Sequence, residues 1–190
     1  MTSTPITPTA ASRALPAPGV LARTYLLALV VYAPILALLL VPQLMRSRAG
    51  SEAMLAVGSV LLLALVVAAV VIAPEVSAKA APQGDLWRFG RARARVRVLI
   101  RTRRRTYFLR LGEFAVLYLV AQGVGGILAW MMPYVWENPA HEADPAQSAW
   151  ILDYPNYAAQ AVTIYLVTCF ALTWYATRLR TLSLPLSRPE

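Results

Sequence analysis

Two sets of residues in this chain have types and spacing that could do chemistry. The first is Glu113, Gln122 and Pro34, three unusual members of otherwise apolar surroundings. A carboxylate near hydrocarbon can take up a proton or hold a cation. An amide can line a polar path, and a proline frees a backbone carbonyl. Together they would suit a transport path. Each also has a plainer use: Glu113 follows Arg110 by three residues, the spacing of an interfacial ion pair, Gln122 can bond a neighbouring helix, and Pro34 can simply bend one.

The second set lies in RARARVRVLIRTRRR, residues 91–105, which holds eight arginines. Guanidinium groups bind phosphate and carboxylate, so Arg91, Arg93, Arg95, Arg97, Arg101, Arg104 and Arg105 are candidate contacts for anionic lipid headgroups or for an acidic protein partner. Nucleic acid needs clustered arginine too, but no recognisable DNA- or RNA-binding motif accompanies the cluster, which weighs against it.

Other chemistry finds little support. His141 stands among Glu137, Glu142, Asp144 and Asp153, an oxygen-rich set closer to magnesium or calcium than to zinc. It is the only histidine, however, and an acidic loop can equally reflect charge asymmetry across a membrane, so no metal is assigned. The only cysteine, Cys169, falls inside an apolar run and reads as a small packed hydrophobe. A nucleophile–histidine pair would have to join these distant segments, and no phosphate-binding GxxxxGK[ST] loop is present. The expectation is a non-enzymatic chain without a cofactor.

The elements that must position these residues follow from composition. The chain is 58% hydrophobic and only 14% charged, with net charge +9. Four uncharged runs stand out, Thr24–Met45, Ala53–Pro74, Phe114–Trp136 and Tyr154–Thr177. About 20 apolar residues in a helix span the roughly 30 Å hydrocarbon layer, and each run reaches that length. A soluble core could not hide four helices that are apolar on every side. The first run is too long for a signal-peptide core and lacks a cleavage pattern, so it reads as a retained anchor.

The expected fold is therefore an all-α integral membrane protein with four transmembrane helices at about 24–45, 53–74, 113–133 and 156–177. Residues 1–21 read as a disordered cytoplasmic tail, 22–177 as the membrane domain, 134–155 as an outer acidic loop and 178–190 as a second cytoplasmic tail. With both termini in the cytoplasm, sixteen of the eighteen Lys and Arg residues fall inside, as the positive-inside rule favours. Only Arg46 and Arg48 fall outside, in a short loop that makes the first two spans an antiparallel hairpin. Aromatic residues suggest belts at both boundaries. Trp130, Tyr134, Trp136, Trp150, Tyr154 and Tyr157 mark the outer one, and Tyr25, Trp87, Tyr107, Trp174 and Tyr175 the inner.

The strict alternation of Arg91–Val98 fits a strand, but the pattern fails at Leu99-Ile100. At about 100° per residue, Phe89, Ala92, Val96, Leu99, Ile100, Thr106 and Tyr107 share an arc of roughly 120°, and only Arg103 intrudes on it. Residues 86–111 thus read as a basic amphipathic cytoplasmic helix between the second and third spans. Ala121, Gly125, Gly126 and Ala129 form a small-residue face of the kind that lets spans pack closely. Taken together, these features describe an accessory or scaffold subunit of the cell membrane that meets inner-leaflet lipid, and another membrane protein or a second copy. A small oligomeric transporter or channel passing Pro34, Gln122 and Glu113 is the alternative. A reporter domain fused near Arg95 is expected to stay in the cytoplasm; its export would reverse the topology.

Overall fold

The computed structural model describes residues 15–45, 51–85, 87–131 and 154–183, and among these every regular element is a helix. In chain order they are α1 (Pro18–Val31), α2 (Ala33–Leu39), α3 (Pro42–Met45), α4 (Glu52–Ala80), α5 (Ala92–Thr102), α6 (Arg104–Met131) and α7 (Tyr154–Ser183). α4, α6 and α7 are each long and apolar enough to cross a membrane. α1 and α2 qualify only as a pair, bent by 53°, which brings the candidate spans to three or, with the pair, four. The tails at 1–14 and 184–190, Arg46, Arg48 and nearly all of the acidic loop, including His141, lie outside the described residues.

The elements depart from the expected boundaries for identifiable reasons. The first span, expected as one helix over 24–45, starts earlier at Pro18 and breaks at Tyr32 and again before Pro42. Proline lacks the amide that would extend the ladder, and its ring crowds the carbonyl four residues back. The second span does not stop at Pro74. It continues to Ala80 because Ala73 to Ala78 are buried on all sides, so tertiary packing outweighs the missing hydrogen bond. The fourth continues to Ser183, so Arg178–Leu182 belong to the folded body and not to a tail.

The expected single helix over 86–111 is two elements. α5 ends at Thr102, Arg103 adopts φ −135° and ψ 50°, and α6 begins at Arg104. The buried side of α5 consists of Ala92, Val96 and Leu99. An unbroken helix would carry Arg103, eleven residues after Ala92, to the middle of that side. The break leaves Arg103 exposed instead.

α7 is the central post, packing against α6, α4, α1, α2 and α5. Its last turns, from Ala171 to Leu182, are buried almost without interruption. Tyrosine hydroxyls tie it to the bent first span by donating to backbone carbonyls: Tyr157 to Leu39, Tyr165 to Leu29, and, in the other direction, Tyr25 to Leu166 at 3.3 Å. Gly58 lets the backbone of α3 at Leu44 pass so close to α4 that a Cβ there would collide with the Leu44 carbonyl. Burial is uneven along the bundle. α4 is mostly exposed from Glu52 to Leu65 and enclosed from Ala73 to Ala78.

Two of the aromatic residues expected at the inner membrane boundary are in the core. Trp87 is completely buried and Tyr175 almost so. A two-residue bridge between Gln83 and Trp87, turned through Gly84 at φ +51°, swings the indole under the bundle. Leu172→Ala, at a fully buried site on α7, should cost about 2–5 kcal/mol. Leu119→Ala, on the exposed side of α6, should leave the thermal unfolding midpoint in detergent nearly unchanged, because its side chain is not packed.

Candidate functional site

The start of α5 carries no capping side chain of its own: Phe89, Gly90 and Arg91 precede it, and Arg91 makes no cap bond. The cap comes from α4. The buried Glu75 carboxylate accepts the amide N–H of Gly90 at 2.6 Å and of Arg93 at 3.0 Å, and lies 3.5 Å from Arg93 Nε. Arg93 is the second residue of α5, so Glu75 takes the donor that a local Ser or Asp would take. It also sets a carboxylate at the positive end of the helix dipole. Gly90, at φ +83°, supplies the left-handed turn this requires.

Held this way, α5 turns Ala92, Val96 and Leu99 into the core and leaves Arg91, Arg93, Arg95, Arg97 and Arg101 exposed. Arg104 and Arg105 are exposed at the start of α6, with the Arg104 guanidinium 5.6 Å from the centre of the Phe108 ring. Phe89, Val98, Phe108 and Leu109 are exposed among these cations. Guanidinium groups interleaved with bare apolar side chains match the boundary between headgroups and acyl chains, where phosphates and hydrocarbon are met together.

Beneath this surface lies a set of charges that does not face outward. Glu113 pairs with Arg110 one turn earlier and with Arg178 of α7, whose Nε is 3.8 Å from Oε2. Arg110, Arg178 and Arg180 are all buried. Arg180 donates to Gln83 Oε1 at 2.8 Å, which fastens the loop of Trp87 to α7. Arg178 also lies over the Trp174 ring, 5.8 Å from its centre. Glu113 is thus the joint between α6 and α7.

The residues considered for a path are not brought together. Pro34 is exposed on α2 and is not among the residues lining the groove that holds Gln122. Gln122 is about 13 Å along α6 from Glu113 by the helical rise. It lines a groove of about 410 Å³ with Ser59 and Leu62 of α4, Tyr118 and Gly126 of α6, and Tyr157, Gln160 and Ile164 of α7.

The small-residue face is largely used within the chain. Ala121 is fully buried, and Gly125 meets Ile164 so closely that a Cβ would overlap it, while its carbonyl accepts Gln160 Nε2 at 2.8 Å. Gly126 instead faces open space in the groove. The side chain of Ala129 lies outside the described residues, as do His141 and its neighbouring carboxylates. Among the described residues no group of three metal-ligating side chains occurs.

Glu75, Arg178, Arg180 and Gln83 were not singled out by sequence reasoning. Glu75 had one legible signal: a basic helix that opens on Phe-Gly-Arg needs an acceptor from elsewhere. The two arginines looked like tail residues because they follow the last uncharged run. No protein-family model matches the chain, and no curated protein or solved structure matches it either.

Glu75→Ala should free the first turn of α5. Loss of a cap is worth about 1–2 kcal/mol, so amide exchange at Gly90 and Arg93 should rise about tenfold. Trypsin should also cut sooner after Arg91 and Arg93, with α6 and α7 unchanged. Glu113→Gln, which removes the charge that Arg110 and Arg178 share, should lower stability by about 3 kcal/mol.

Proposed function

We propose that this chain is a non-enzymatic integral membrane protein with four spans and both termini in the cytoplasm. In this reading it acts as an accessory or scaffold subunit that grips the anionic inner leaflet through α5 and the first turn of α6. One observation carries it: a helix whose inward side is packed and capped by Glu75 while its four arginines and Val98 stand exposed on the rest of its surface. A polybasic segment beside a span gains about 1 kcal/mol per cation near a negative leaflet. Eleven of the eighteen Lys and Arg residues lie between Glu75 and Glu113, which supports a cytoplasmic position for that segment.

The test compares nanodiscs of neutral phosphatidylcholine with nanodiscs containing phosphatidylglycerol. Tryptic cleavage within α5 should be slower in the anionic discs and should recover as salt is raised. With Arg91, Arg93, Arg95 and Arg97 all changed to Gln, cleavage at Arg101 should depend less on lipid charge, the remainder being due to Arg101, Arg103, Arg104 and Arg105. Equal cleavage of the unaltered chain in both discs would overturn the lipid reading and leave an acidic protein surface as the ligand of the arginines.

A further inference from the structure

We infer that the groove between α4 and α6 binds an uncharged, lipid-soluble molecule that carries a hydrogen-bonding carbonyl or hydroxyl group. α4 and α6 both pack on α7 but hardly on each other. The groove therefore has α4 and α6 as walls and α7 as floor, with Leu39 and Met45 at one end. Its volume of about 410 Å³ is within the range of small-molecule sites, roughly 300–1,000 Å³.

The lining decides the class of occupant. None of the described residues that line the groove is Asp, Glu, Lys, Arg or His, so a charged head would find no counter-ion among them. Leu39, Leu55, Leu62, Leu63, Ala161 and Ile164 offer an apolar bed. The Ser59 hydroxyl is occupied by the Leu55 carbonyl, Tyr157 by Leu39, and one Gln160 N–H by Gly125. The Gln122 amide and the Tyr118 hydroxyl also line the groove, and neither has a hydrogen bond from a described residue.

Gln122 lies near the middle of its span, where hydrocarbon offers no hydrogen bond and an unsatisfied amide costs several kcal/mol. Acyl chains alone would fill the space and leave that cost in place. A neutral carbonyl or hydroxyl on an apolar body removes it. Gly126, with open space where a side chain would be, keeps the groove clear beside Gln122.

The full chain in phosphatidylcholine nanodiscs would be irradiated with a diacylglycerol bearing a diazirine on one acyl chain, and in parallel with a diazirine-bearing alkane of equal chain length. Mass spectrometry should find the diacylglycerol attached to the groove-lining stretches 118–126 and 157–164, above the alkane. Gln122→Leu should lower that labelling about tenfold, the net worth of one hydrogen bond. Gly126→Leu, whose Cβ meets nothing within 4 Å and whose side chain would occupy the groove, should abolish it. Equal labelling by the two probes in the unaltered chain would overturn the proposal as ordinary lipid filling, whether or not either variant folds. A dimer in the same discs that is lost with Gln122→Leu would also overturn it, because a second copy would then occupy the groove.

Discussion

A helix end that is buried on every side and also charged must have its partners brought to it. The last turns of α7 are such an end, with Arg178 and Arg180 among Leu172, Tyr175, Ala176 and Leu179. Taking a guanidinium out of water is costly unless hydrogen bonds and an opposite charge replace the solvent. Glu113 must therefore face α7 from α6, and Gln83 must reach it from the loop after α4. Those two requirements set where α6 starts its climb and how the chain leaves α4. The loop that delivers Gln83 also delivers Trp87, and the residues after it begin α5. The basic surface is thus the outer layer of a structure organised around α7.

The contrast between the two ends of the bundle has the same origin. A helix of 29 residues, the length of α4, measures about 44 Å against a hydrocarbon layer of about 30 Å. α4 and α7 both exceed the layer. Their extra turns are the segments in which Glu75, Ser77, Arg178 and Arg180 are buried. If, as proposed, that end stands outside the hydrocarbon, water there supplies a hydrophobic driving force for closing α4, α5 and α7 over buried Val76, Ala92, Val96, Leu99 and Leu179. Between lipid tails no such force exists, and helices join only where small residues or hydrogen bonds hold them. Ala121, Gly125 and Gln160 do this for α6 and α7, but among the described residues nothing comparable joins α4 to α6, so a groove remains.

How much of this was legible depended on whether the signal was local. Apolar length marked out α4, α6 and α7, because a run such as Ala53–Pro74 has no other explanation. Their ends were not legible, since the runs were bounded at the first charge, and the structure buries Glu75, Arg178 and Arg180 with partners distant in sequence. The apolar side of α5 could be read at Ala92, Val96 and Leu99, and the one misfit in that pattern, Arg103, is where the helix breaks. Trp87 and Tyr175 misled because an aromatic residue beside a basic segment suits a headgroup belt as well as a core. Gln122 was recognised as an exception within its span, but the groove it faces depends on α4 and α7, which no spacing within α6 reveals.

The Glu75 cap changes what an arginine-rich segment can do. A flexible polybasic tail must lose conformational freedom when it binds, at about 1–2 kcal/mol per residue ordered, and presents its charges in no fixed direction. In this chain that ordering is done by folding. Ala92, Val96 and Leu99 are packed, the first amides of α5 are held by a carboxylate on α4, and the break at Arg103 sets the angle to α6. The arginines of α5 therefore keep one orientation relative to the spans, and binding energy that a tail would lose to ordering remains as affinity.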